Sequence, residues 1–212
     1  MLRASSAIAA GGADVVDDSA PETPGVCHLE SHFAVGGNSS HELAFAPACT
    51  FTALPQLEIG ALLLRSVVAG SGSTTYGPAA KLNLRDERLG LGIGLIGQAN
   101  VNTDGKLESG ALILPVTIPA GSVLRRNTNV GWLYNRSGER DQFFSGSQLE
   151  MTVTGELNVM AECFDRNPGK IGAQVRLRWT PRNANYDLDF LYGSYVNGAA
   201  RHIVTLNLTL RS

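Results

Sequence analysis

The closing residues 202–212 alternate apolar and polar side chains without a break to the chain end. Val204, Leu206, Leu208 and Leu210 fall on one face of a strand, and Ile203, Thr205, Asn207, Thr209 and Arg211 fall on the other. A strand with one continuous aliphatic face and one polar face separates an apolar medium from a wet one. That medium is a protein core or lipid.

The same period of two recurs through most of the chain. In residues 89–95 aliphatic side chains alternate with glycine, in 173–179 with charge, and 148–154 and 187–192 repeat the pattern. A soluble sandwich buries its aliphatic faces on each other, whereas a transmembrane barrel turns them to lipid and its polar faces to a lumen. At 212 residues the chain suits one large all-β domain. No apolar run approaches the ~18 residues of a membrane-spanning helix. Lys and Arg number 17 against 19 Asp and Glu, for a net charge of −2, so nucleic acid is not an expected partner.

Residues 1–25 differ from the rest. Met1-Leu2-Arg3 and the small residues up to Ala10 read as the remnant of a signal peptide, and residues 14–24 as an acidic, proline-containing disordered lead-in to an exported protein. The domain proper is then 26–212. Turn signals divide it into about twelve strand candidates, at 26–35, 42–51, 56–66, 75–85, 88–99, 106–118, 122–135, 146–155, 156–164, 170–180, 185–196 and 201–211. An even count with no helical period between strands predicts an antiparallel up-and-down transmembrane β-barrel. Pro47, Pro78 and Pro115 fall inside candidates, where each removes a ladder donor, so bulges or breaks are expected there.

A first hairpin turning at Asn38 sets Cys27 opposite Cys49. Two readings follow: a disulfide formed in an oxidising periplasm, or two small buried thiols if the register slips by one. Cys163 shares an apolar face with Ala161 and Val159 and reads as a free thiol.

Charge falls on the polar faces in an ordered way. The ninth candidate carries Glu162, the tenth Arg176 and Arg178, and the eleventh Asp187 and Asp189, an order that lets neighbouring strands neutralise each other. Glu30, Glu58, Lys81, Arg85, Arg125, Glu150 and Glu156 add to the inner face. This lumen is either a polar pathway for small solutes or a solid filling in which ion pairs replace an apolar core. The opposite faces carry Leu57, Ile59, Ala61, Leu63, Leu112, Leu114, Val175 and Leu177, with Tyr76, Trp132, Tyr134, Trp179, Tyr186, Tyr192 and Tyr195 towards strand ends as a thin interfacial girdle.

Apparent active-site motifs carry little. Residues 92–97 satisfy G-x-G-x-x-G, but the glycines continue one strand's alternation, so they leave room in a crowded lumen or permit strand coiling. His28 and His32 stand about 13 Å apart along a strand and cannot share a metal ion with Glu30 between them. Neither His41 nor His202 supplies a third ligand, and no nucleophile elbow is present, so neither cofactor nor catalysis is expected.

The segments Val26-Cys27-His28-Leu29-Glu30-Ser31, Phe45-Ala46-Pro47-Ala48-Cys49, Gly131-Trp132-Leu133-Tyr134, Arg178-Trp179-Thr180-Pro181 and the closing strand resemble those of bacterial outer-membrane β-barrel proteins. More loosely they resemble the small channels grouped with phenol-degradation-pathway transporters. The resemblance covers residue 26 to the end, and it implies an outer-membrane location, lipid contact, and a structural or small-solute passage role. Such barrels usually end on an aromatic residue, where this chain has Ser212. The alternative is a soluble β-sandwich or lipocalin-like protein that holds a small ligand within the same walls.

Overall fold

The computed structural model describes residues 13–37, 39–137, 141–198 and 200–212. The described residues form twelve strands: β1 Cys27–Gly36, β2 Ser40–Thr50, β3 Leu57–Val68, β4 Ser71–Arg85, β5 Gly92–Asn102, β6 Leu107–Ala120, β7 Leu124–Asn135, β8 Asp141–Thr152, β9 Leu157–Asn167, β10 Gly172–Trp179, β11 Tyr186–Ser194 and β12 Ile203–Arg211. Each pairs antiparallel with its neighbours in sequence, and β12 pairs with β1 to close the ring. A closed ring leaves no unpaired edge, which is what a sheet needs to cross a bilayer.

The period of two decides sidedness. In β12, Val204, Leu206 and Leu210 are 41%, 59% and 44% exposed, whereas Thr205, Asn207 and Thr209 are buried. The same inversion runs round the ring. Phe33, Phe45, Ile59, Leu63, Leu112, Val175, Leu177 and Phe190 point outward, and Glu58, Lys81, Asn127, Gln148, Glu162, Arg176, Asp187 and Asp189 are buried inside. A continuous apolar belt over a charged interior is the reverse of a soluble core, and its area is far beyond the patches that water-soluble monomers expose.

The three prolines leave the register intact. Pro47, Pro78 and Pro115 each stand opposite a residue on one side, at Leu29, Ala61 and Asn129. On the other side the ladder is interrupted and resumes with the same offset. The bulges lie elsewhere, at Asn83/Arg85 and Asn100/Val101. The first reverses the alternation at the end of β4, so Arg85 pairs with Ile93 and is exposed at the rim, not in the lumen as its parity suggests. Its guanidinium donates to the carbonyls of Leu91 and Leu89.

Two boundaries also differ from the sequence reading. Asp86 caps a single 3-10 turn, Glu87–Leu89, that ends on Gly90 at φ 88°, so β5 begins only at Gly92 and the alternation at 89–91 lies in a connection. Glu156 sits in the turn between β8 and β9, where it pairs with Arg182 at 2.8 Å instead of facing the lumen. The first hairpin keeps the register that sets Cys27 opposite Cys49, and the two form a disulfide. Cys163 is an exposed free thiol on the outer face.

Residues 13–22, expected as part of a disordered lead-in, instead lie against the inner wall of the barrel, and 23–25 are exposed where the chain leaves it for β1. The signal-remnant reading of residues 1–10 lies outside the described residues.

Candidate lumen site and its inner arm

The lumen has two unlike halves. Towards the loop between β11 and β12 it is apolar: Ile96, Ile113, Leu133, Phe144 and Phe164 cluster with Val16, and Val196 of that loop packs against both this cluster and Ala34, Ala200 and Ile203. Towards the termini it is charged, and there residues 13–22 lie against the wall as an arm.

The wall grips the arm by its backbone. Glu162 accepts the amides of Val15 and Val16 at 3.0 Å each, Asn129 that of Asp17 at 2.8 Å, Thr117 that of Ser19 at 2.9 Å and Glu58 that of Glu22 at 2.8 Å. Gln174, Gln148, Asn129 and Asn83 donate to the carbonyls of Ala13, Val16, Asp17 and Ser19. These partners fall in order on β10, β9, β8, β7, β6, β4 and β3, so the arm follows the inner circumference rather than the barrel axis. An extended segment with no strand partner has every amide to satisfy, and the wall side chains supply that pairing.

Small residues make the room. A Cβ on Gly146 would stand 2.6 Å from Val16 Cγ2, one on Gly94 2.9 Å from the Ser19 carbonyl oxygen, and one on Gly92 would overlap the Ser19 hydroxyl. The inward glycines of the G-x-G-x-x-G run thus accommodate the arm and no nucleotide.

The arm's acids meet the wall's bases. Lys81 Nζ lies 2.9 Å from Asp17 and 3.1 Å from Asp18, and donates to the Ala20 carbonyl. Arg125 joins Asp18 at 3.2 Å, Glu87 at 2.8 Å and Glu150 at 3.4 Å. Arg176 pairs with Asp14 and stands 3.8 Å from Asp189. Arg211 bridges Glu22 and Asp187 at 2.7 Å each. Arg178 holds Asp189 in a two-pronged pair at 2.7 and 2.9 Å.

Of the lumen charges read from the sequence, Glu58, Lys81, Arg125, Glu150, Arg176, Arg178, Asp187 and Asp189 come together here, and Glu30 lines the same cavity. The expected ladder of Glu162, Arg176 and Asp187 does not form as drawn. Glu162 stands level with Gln174, one inward position deeper than Arg176, and its carboxylate is taken up by the arm and by Gln148 and Gln174. Arg178 and Asp189 are direct cross-strand partners, as alternation implies. Sequence reasoning missed Asp14, Asp17, Asp18 and Glu22. The signal that could have found them is the acid-flanked Val15-Val16 pair together with inward glycines on the facing strands.

Among the described residues, no group of His, Cys, Asp or Glu is arranged to hold a metal ion. Between arm and wall remains a polar cavity of about 220 Å³ open towards the termini end.

Similar folds are outer-membrane barrels. A KdgM porin matches with a TM-score of 0.69 at 10% identity, over 86% of this chain and 98% of that one. The structure described as KdgM porin in complex with disordered oligogalacturonate gives 0.66 at 9%, over 87% and 98%. The COG4313 outer membrane channel from Pseudomonas putida F1 gives 0.66 at 10%, over 92% and 98%. At such identities the likeness establishes the fold, a closed twelve-strand barrel of the porin kind. A search of curated proteins finds no match. One family model, described as "Uncharacterised conserved protein UCP029691", matches residues 1–212.

Proposed function

We propose that this chain, which belongs to the family of conserved proteins UCP029691, is a bacterial outer-membrane barrel that passes small polar solutes through its lumen and carries out no catalysis. The observation that carries this reading is the inverted sidedness: an apolar belt outside, and inside it charged side chains that leave a polar cavity of about 220 Å³. A lumen that served only as filling would gain more from apolar packing than from buried charge, which is costly unless fully paired. The disulfide at the termini end suits an oxidising periplasm. A similar barrel with bound oligogalacturonate supports passage of a hydrophilic solute. The wall charges named from the sequence, Arg85 and Glu156 excepted, are the proposed lining.

Purified protein in a planar bilayer should give discrete conductance steps. A chain that stays in the aqueous phase without detergent would return the soluble reading, and a detergent-bound chain with no steps would leave a structural barrel. The outer face has its own test. Leu206→Arg should cost about 2–4 kcal/mol if that position meets the membrane midplane, and almost nothing if it meets water.

A further inference from the structure

We propose that the arm is the channel's selectivity collar, and that its carboxylates supply most of a preference for cations. The inference rests on the channel reading and adds which element of the chain discriminates. Its ground is the composition of the cavity wall. Seven carboxylates line the cavity against five cations, and four of the seven, Asp14, Asp17, Asp18 and Glu22, belong to the arm. Behind that lining the same cations keep wall partners at Glu87, Asp187 and Asp189. The wall alone is therefore close to charge balance, and the ten residues of the arm add four negative charges to it.

Three independent features mark the arm as a built element. Carboxylates and amides of the wall hold its backbone at both N–H and C=O. Glycines at 92, 94 and 146 leave the space it fills. Val16 is fully buried in the apolar cluster above, which pins the arm at a fixed depth. Because it follows the circumference, it narrows the passage without crossing it. In a confined lumen of low dielectric, a few fixed charges at the narrowest point govern which ions enter. The passing class favoured by the intact collar is the cation or the cationic end of a dipolar solute.

The test is reversal potential and single-channel conductance in a potassium chloride gradient at pH 8, for the full chain, for a chain lacking residues 13–22, and for Asp17→Asn/Asp18→Asn. The full chain should prefer potassium. The shortened chain should conduct at least about twofold more and lose most of its preference for potassium, and the double variant, which removes two of the arm's four carboxylates, should lie between the two. If the shortened chain fails to fold, the double variant alone decides. Conductance with unchanged preference across the variants overturns the collar and leaves the channel reading intact. Silence from every variant, in protein shown to be a folded detergent-soluble barrel, overturns both.

Discussion

The two halves of the lumen solve the same problem by different means. The half towards the β11–β12 loop is filled by Phe144, Phe164, Ile113 and Leu133, whose side chains need only shape complementarity. The half towards the termini is filled by charge, and four of its five cations, Lys81, Arg125, Arg176 and Arg211, find acidic partners on the arm. Apolar packing is completed mostly by the strands, with Val15 and Val16 of the arm at its edge. A charged interior cannot be completed that way, because each unmatched ion in a low-dielectric space is destabilising by several kcal/mol. The arm is the element that completes it. The difference teaches that the arm adds only Val15 and Val16 to the apolar half, whereas it brings the polar half four carboxylates that the strands do not supply.

That contrast can be broken most directly at Lys81. Lys81→Met strands Asp17 and leaves Asp18 with Arg125 alone, and should lower stability by about 3–5 kcal/mol while exposing the arm to limited proteolysis. Adding Asp17→Asn/Asp18→Asn should recover part of the loss, since the terms are coupled. Phe144→Ala in the other half should cost about 3–4 kcal/mol, with no charge change able to restore it. Rescue in the apolar half, or its failure in the charged half, would erase the distinction. Both are read from the temperature at which the barrel loses its compact gel migration.

Gly146→Ala joins the halves, because Val16 lies between them. A methyl there meets Val16 and should cost about 1–3 kcal/mol in the full chain and far less in a chain without residues 13–22. The smallest effect belongs to the rim. Asp86 lies part-exposed at the rim, and hydrogen bonds from Arg88 hold its carboxyl down to about 2. A depressed carboxyl contributes stability only above its ordinary range, and loses it as pH falls towards 2. Solvent screening reduces even that. Asp86→Asn should therefore leave the thermal midpoint at pH 7 where it was, and a clear shift would mean the rim turn matters to the lumen below it.

Much of the barrel was legible because it depends on local rules. Alternation decides which side of the wall each residue takes, and a hairpin's register follows from its turn, so the sidedness of β12 and the pairing of Cys27 with Cys49 follow from short-range pattern. Arg85 escaped because one bulged residue reverses parity without leaving a mark in composition. The arm escaped for a different reason. The wall side chains that hold its backbone stand between 36 and 161 positions away, on seven strands, and an extended segment held by scattered side chains has no period of its own. Its acidity read as disorder because the cations that answer it are spread across the chain.

The arm's position also orders assembly. All pairings in the ring but one join strands adjacent in sequence, and only β1 with β12 spans the chain. Hairpins of that kind form with short loop closures, and the single long closure comes last. The arm precedes β1 in synthesis yet has no place to bind until β10 is in the wall. It must therefore wait as a soluble acidic tail while the hairpins accrete, and settle only when the cylinder around it exists. An element made before any strand is thus the last to settle, so a barrel that has lost it should still be able to close.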